Sequence, residues 1–158
     1  MRELRLEAVR KLRARPGGAT EADVIAAFED AWLLGDEEWA KCAGGAGQLA
    51  TKVTAGEEGR VTEVDLSYNR DMKELPASVG RLQALQKLNL YGCPDLTSLP
   101  AEVGNCVKLE SLNLGGCLGL TSLPDLSGLE KLEVKYLPSA MKPWEERGRK
   151  AFALPTEG

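Results

Sequence analysis

The chain has 158 residues, 43% of them apolar and 28% charged, an ordinary balance for one soluble globular domain with a core of its own. It contains no histidine, which excludes histidine-dependent triads, cysteine–histidine dyads and histidine metal sites. The net charge of −4 argues against the whole domain holding nucleic acid electrostatically, and with aromatics at 5% the packing falls to leucine and valine.

Residues 1–19 read as a basic N-terminal arm. Arg2, Arg5, Arg10, Lys11, Arg13 and Arg15 stand against only Glu3 and Glu7. Leu4, Ala8 and Leu12 form a thin apolar stripe on a candidate helix, and Pro16-Gly17-Gly18 breaks it off. The start has no apolar core of a secretory signal, and no stretch reaches the eighteen or so apolar residues of a membrane span. The expectation is an intracellular chain, cytoplasmic or organellar and not secreted, with reduced cysteines.

Residues 20–58 read as a helical N-terminal cap. Thr20-Glu21-Ala22-Asp23 has the form of a capping box with aspartate in its last position. Val24, Phe28 and Trp32 come next at helical spacing, widened by Ile25 and Ala31, and Gly35 stops the run. This face is expected to cover the open end of the segment that begins at residue 59; a separate partner-binding helix is the alternative. Glu21 to Glu38 holds seven acidic residues and no basic one, which fits either a docking surface or a solvated helix face. The glycine-rich Ala43–Gly47 lacks the lysine-serine/threonine ending of a phosphate loop. Cys42, Cys93, Cys106 and Cys117 contain no CxxC pair, so no metal and no cofactor is expected.

Residues 59–138 repeat. Leu85, Leu88, Leu90, Cys93, Leu96, Leu99 and Pro100 recur 24 residues later as Leu109, Leu112, Leu114, Cys117, Leu120, Leu123 and Pro124. The same step backwards meets Val61, Val64, Leu66, Asn69, Met72, Leu75 and Pro76. Leu126, Leu129, Leu132 and Val134 return in a shortened fourth unit after a contraction of four residues. In each unit the alternating apolar pair makes a short strand with one face inward. The Leu-Pro pair ends the following turn, and Val103 with Cys106 fills the inner side of a helical or 3₁₀ return segment. Asn69, Cys93 and Cys117 share one turn position, where their side chains can hydrogen-bond inward to otherwise unpaired backbone.

One such turn cannot close a core, so the units must stack. The predicted architecture is α/β: a short curved solenoid of three full repeats and one shortened repeat, with a helical N-terminal cap. At these residues the chain resembles the leucine-rich-repeat family. The LPxxVGxLxxL wording at Leu75–Leu85 is similar to Ras-group and plant-type repeats, and the Gly-Cys phrase with LTSLP to plant disease-resistance receptors. Glu58–Ser67 resembles the passage from an N-terminal cap into a first repeat, although the paired cysteines of secreted plant members are reduced here to Cys42.

Residues 139–158 read as a C-terminal cap or tail, in which Trp144, Phe152 and Leu154 stand among charges. The solvent side of the strands is the expected partner-binding, concave face: Glu63, Asp65, Ser67; Lys87, Asn89, Tyr91; Ser111, Asn113, Gly115; and Lys131, Glu133, Lys135. Tyr91 is its one aromatic anchor. Four strands at about 4.8 Å make a face only some 15 Å across, small beside the roughly 800 Å² a specific interface buries per partner, so the terminal arms are expected to take part. Paired carboxylates such as Glu63 and Asp65 show no sign of a shared cleft, and catalysis is not expected. Two functions stay open: a non-catalytic protein–protein interaction module, and an architectural accessory subunit lodged permanently in a multiprotein assembly and anchored by its arms. A receptor fragment detached from nucleotide-binding domains is suggested by the resemblance alone.

Overall fold

Four short parallel strands, each one turn of chain further along, stack their leucines into a common core. The computed structural model describes residues 53–56 and 59–153, with Arg10, Gly17 and Thr20. The predicted basic arm and N-terminal helix are otherwise outside the described residues, as are Cys42, the glycine-rich run and residues 154–158. β1 (Val53–Ala55), β2 (Val61–Asp65), β3 (Lys87–Asn89), β4 (Ser111–Asn113) and β6 (Glu133–Lys135) form one sheet in the order β1-β2-β3-β4-β6. The strand β1 lies inside the segment predicted to be a helical cap. Val53 and Thr54 are β-branched and pair antiparallel with Val64 and Glu63, and Thr62 Oγ1 donates to Thr54 O at 3.3 Å.

From β2 onward the sheet is parallel. Val64, Leu88, Leu112 and Val134 stand side by side, so the steps along the stack are 24, 24 and 22 residues. Two repeats return through 3₁₀ turns at Ala77–Arg81 and Ala101–Asn105, each entered from an extended proline, Pro76 or Pro100. Val79, Val103, Leu82 and Cys106 are buried on the inner side of these turns, as their spacing predicts. The third return, between β4 and β6, is tighter. Asp125 Oδ1 accepts from Ser127 N at 3.0 Å and from Ser127 Oγ at 2.6 Å, bonds that hold the Asp125 carboxyl below its usual range.

Between the strands the contraction is therefore two residues and not four, and in the turn before β6 it is one. Leu132 N donates to Leu129 O, as Leu109 N donates to Cys106 O one repeat earlier. This puts Lys131 in the turn before β6, on a level with Lys108, and removes it from the face of the sheet.

After β6 the chain turns back across the last repeat. A 3₁₀ turn (Ser139–Met141) leads into the short helix α1 (Lys142–Glu146), with Pro143 in its first turn. Met141 and Trp144 are fully buried against the core, and Trp144 Nε1 donates to Pro124 O at 2.9 Å. β7 (Phe152–Ala153) then pairs antiparallel with β5 (Ser122–Leu123). Arg149 secures the same corner: its guanidinium donates to Leu132 O and to Glu145 Oε1 at 2.6 Å, and its carbonyl accepts from Leu126 N at 2.8 Å.

The turn position behaves as its residue types predict. Asn69 Nδ2 donates to Leu66 O at 2.7 Å, Cys93 Sγ to Leu66 O at 3.3 Å, and Cys117 Sγ to Leu90 O at 3.0 Å. Cys106 makes an equivalent bond from the opposite side of the core, Sγ to Val79 O at 3.2 Å. Each thiol therefore reaches the carbonyl 27 residues before it and ties one repeat to the last. Burial pushes the Cys106 and Cys117 thiols up to about 11, and it raises Cys93 as well, against the lowering effect of its bond with the Asn69 backbone.

Two measurements test this core. Trp144→Ala should lower unfolding free energy by about 3–5 kcal/mol in a urea titration, with Trp144→Phe costing less; equal stability would mean the tail does not hold the last repeat. Because the thiols of the folded chain keep their protons to a higher pH than those of the unfolded chain, their contribution is complete below about pH 9 and lost as pH rises toward 11. Cys106 and Cys117 should resist a thiol reagent at about pH 8 until the chain is unfolded; prompt reaction in the folded protein would contradict their burial.

Candidate functional site

Alternation along the four parallel strands sends one set of side chains into the core and the other to a continuous open face. The register arranges that second set in rows across the strands. The first row is Glu63, Lys87, Ser111 and Glu133, and the second is Asp65, Asn89, Asn113 and Lys135. A shallow hollow of about 300 Å³ lies over them, lined by both rows except Glu133, with Thr54 at its edge. The predicted residues Glu63, Asp65, Lys87, Asn89, Ser111, Asn113, Glu133 and Lys135 therefore come together; Lys131 does not.

Most of these groups have a fixed posture. Lys87 Nζ lies 2.9 Å from Glu63 Oε1, and both side chains are substantially exposed, so the pair orients the row more than it stabilises the fold. In the second row each side-chain oxygen accepts a hydrogen bond from the amide two residues on. Asp65 Oδ1 accepts from Ser67 N at 2.9 Å, Asn89 Oδ1 from Tyr91 N at 3.0 Å, and Asn113 Oδ1 from Gly115 N at 3.0 Å. These Asx turns end the strands in register. They also fix the amide flip: with the oxygens of Asn89 and Asn113 on backbone, their Nδ2 groups turn outward as donors.

The C-terminal ends of the strands carry the feature that sequence reasoning missed. Tyr91 is not the one aromatic group there. Tyr68 and Tyr136 lie on the same side, 68% and 72% exposed against 40% for Tyr91. The rings of Tyr68 and Tyr91 meet edge to face with centroids 5.5 Å apart. Tyr91 in turn covers Gly115: a Cβ there would stand 2.6 Å from Tyr91 Cδ2 and 3.0 Å from Tyr136 Cβ. Strict alternation points Tyr68 and Tyr136 inward. Both take left-handed backbone instead, with φ 63° and 56°, and this swings their rings to the open side. Tyr136 follows Lys135 just as the buried Leu114 follows Asn113, and the reversal of its backbone is what exposes it. The one signal in the sequence was that Tyr68 stands where the next two repeats have Gly92 and Gly116.

Among the described residues no group of histidine, cysteine, aspartate or glutamate side chains is placed to hold a metal ion, and no helix is long and apolar enough to cross a membrane. Glu63 is committed to Lys87 and Asp65 to a backbone amide.

The Leucine Rich Repeat family model matches residues 84–106, which run from the turn before β3 to the end of the second 3₁₀ return. No curated protein matches the chain. Repeats of this family generally mediate protein–protein interaction and are typically non-catalytic. Residues 84–106 are thus matched as a leucine-rich repeat, and the neighbouring units stack on it in register, which supports a leucine-rich-repeat protein.

Proposed function

We propose that the chain is a non-catalytic interaction module that holds a protein partner through a concave face of its sheet, assisted by its terminal arms. The observation that carries this reading is the division of labour along each strand. Val64, Leu88 and Leu112 are buried, while Glu63, Asp65, Ser67, Lys87, Asn89, Tyr91, Ser111, Asn113, Glu133 and Lys135 contribute little to the core. Such side chains are free to serve a partner. Their mixture of both charges with amides and tyrosine suits a protein surface better than nucleic acid, for which a basic stripe would be needed. The reading includes the basic arm, the helical N-terminal cap and the tail as further contact or capping segments, and an intracellular setting.

The narrowness of the face, some 15 Å over four strands at about 4.8 Å, favours a second reading. In it the chain is a permanent accessory subunit of a larger assembly, anchored by basic residues of its arms, with the repeats as scaffold. Crosslinking mass spectrometry on the native protein with its associates separates the two. The module reading expects partner crosslinks at Lys87 and Lys135, with Lys131 in its turn as an off-face control. Partner links confined to Lys11, Lys142 and Lys150 would shift the work to the arms and overturn the concave-face reading.

A further inference from the structure

Tyr68, Tyr91 and Tyr136 form an exposed aromatic strip across the ends of the strands, and two of them hold it against the preference of their own backbone. Tyr68 has φ 63° at a position where the following repeats have Gly92 at 73° and Gly116 at 71°. Glycine adopts that conformation freely and a side chain with a Cβ does not. The fold would be served at least as well by a third glycine, so the ring at position 68 is retained for something other than folding. Tyr136 repeats the pattern with φ 56° at a site where earlier repeats bury a leucine. Strain of this kind concentrates where structure meets function.

Beside the strip the open face offers donors. Asn89 and Asn113 have their oxygens on the amides of Tyr91 and Gly115, so their Nδ2 groups point outward one strand spacing apart. The charged groups nearby come close to cancelling: Glu63, Asp65 and Glu133 face Lys87 and Lys135, and Glu63 is already paired with Lys87. A complementary ligand is therefore near neutral, has apolar rings or ridges to lay on tyrosine, and offers acceptors in place of donors.

We propose that this strip and the adjoining asparagines take a proline-rich segment of the partner in the polyproline II conformation. The inference rests on the module reading and names the chemistry of the partner. Proline has no backbone N–H, so such a segment presents carbonyl acceptors to Asn89 Nδ2, Asn113 Nδ2 and the tyrosine hydroxyls. Its ridges dock on aromatic grooves at little entropic cost, because the helix is preformed. The side chains lie closer together than the strands that carry them, Tyr68 and Tyr91 with ring centroids 5.5 Å apart and Tyr91 and Tyr136 both against Gly115, so the strip is one continuous platform on which proline rings can lie.

The test uses the full chain, a fluorescein-labelled decaproline peptide and a Gly-Ser peptide of equal length, read by fluorescence anisotropy. Decaproline should bind saturably and the control should not. Tyr68→Gly and Tyr136→Gly together should weaken binding at least about tenfold, as expected when anchoring aromatics are removed. Circular dichroism melting should leave those variants folded, because glycine suits both backbones. Asn89→Asp keeps an oxygen for Tyr91 N, as Asp65 does for Ser67 N, but removes the outward donor; it should weaken decaproline binding without loss of stability. Absence of saturable decaproline binding, or binding indifferent to all three substitutions, overturns the proposal. Self-association abolished by the tyrosine variants would assign the strip to a second copy and overturn it equally. Native crosslinks at Lys87 and Lys135 without decaproline binding would leave the module reading standing and remove only this one.

Discussion

Leu88 has no cover of its own making: Val64 lies on one side of it and Leu112 on the other, and neither belongs to its repeat. Every core side chain here depends on its neighbours in the same way, since a single turn of about two dozen residues cannot enclose a leucine. Burial is worth roughly 1.5–3 kcal/mol for each such side chain, and it is collected only when the next turn arrives in register. Constancy of step is the condition that the rest of the structure obeys. The steps of 24 residues from β2 to β3 and from β3 to β4 keep leucine on leucine and strand beside strand.

Register needs polar anchors as well as leucines, because apolar contact is not directional. Three sets of hydrogen bonds supply them. The Asx bonds of Asp65, Asn89 and Asn113 end β2, β3 and β4 at the same height. Asn69, Cys93, Cys117 and Cys106 seize carbonyls that face the core, where an unpaired carbonyl would be costly. On the far side Thr97 N donates to Lys73 O and Thr121 N to Thr97 O, again one repeat apart. Thiol can replace amide at the turn position because both donate a proton to the same kind of carbonyl, while the smaller and less polar thiol suits a fully buried site.

Much of this was legible in the residues. The 24-residue step, the inward leucines and the bonding role of Asn69, Cys93 and Cys117 follow from spacing and from donor chemistry. The fourth repeat was not, for a definite reason. Leu126, Leu129 and Leu132 are three residues apart, so sliding the match by three again sets leucine on leucine, and the apolar pattern alone has two solutions. The turn bond from Leu132 N to Leu129 O chooses the second, which sets Leu132 on Leu109 and sends Lys131 into a turn, and one further residue is lost before Ser111 pairs with Glu133. Tyr68 and Tyr136 escaped for a different reason. Alternation of side chains holds only while the backbone stays extended, and a single left-handed residue reverses it. The tail was opaque because Trp144 is one large residue with no period around it, and its fit against Pro124 is a matter of three-dimensional shape.

A stack of this kind also explains how strained residues can persist at its open edge. Tyr68 is gripped on both sides: its N–H donates to Tyr91 O at 2.8 Å, and the preceding amide of Ser67 is held by Asp65. The equivalent bond from Gly92 N to Gly115 O, at 2.7 Å, fixes the same backbone shape one repeat on, where no side chain resists it. The conformation is therefore imposed by the ladder and not chosen by tyrosine, and the ring is carried outward as a consequence. Gly92 and Gly115 complete the arrangement by being small, since the rings of Tyr68 and Tyr91 lie against them. Repetition sets the backbone, and the residue placed on that backbone decides whether an edge of the solenoid is bare or aromatic.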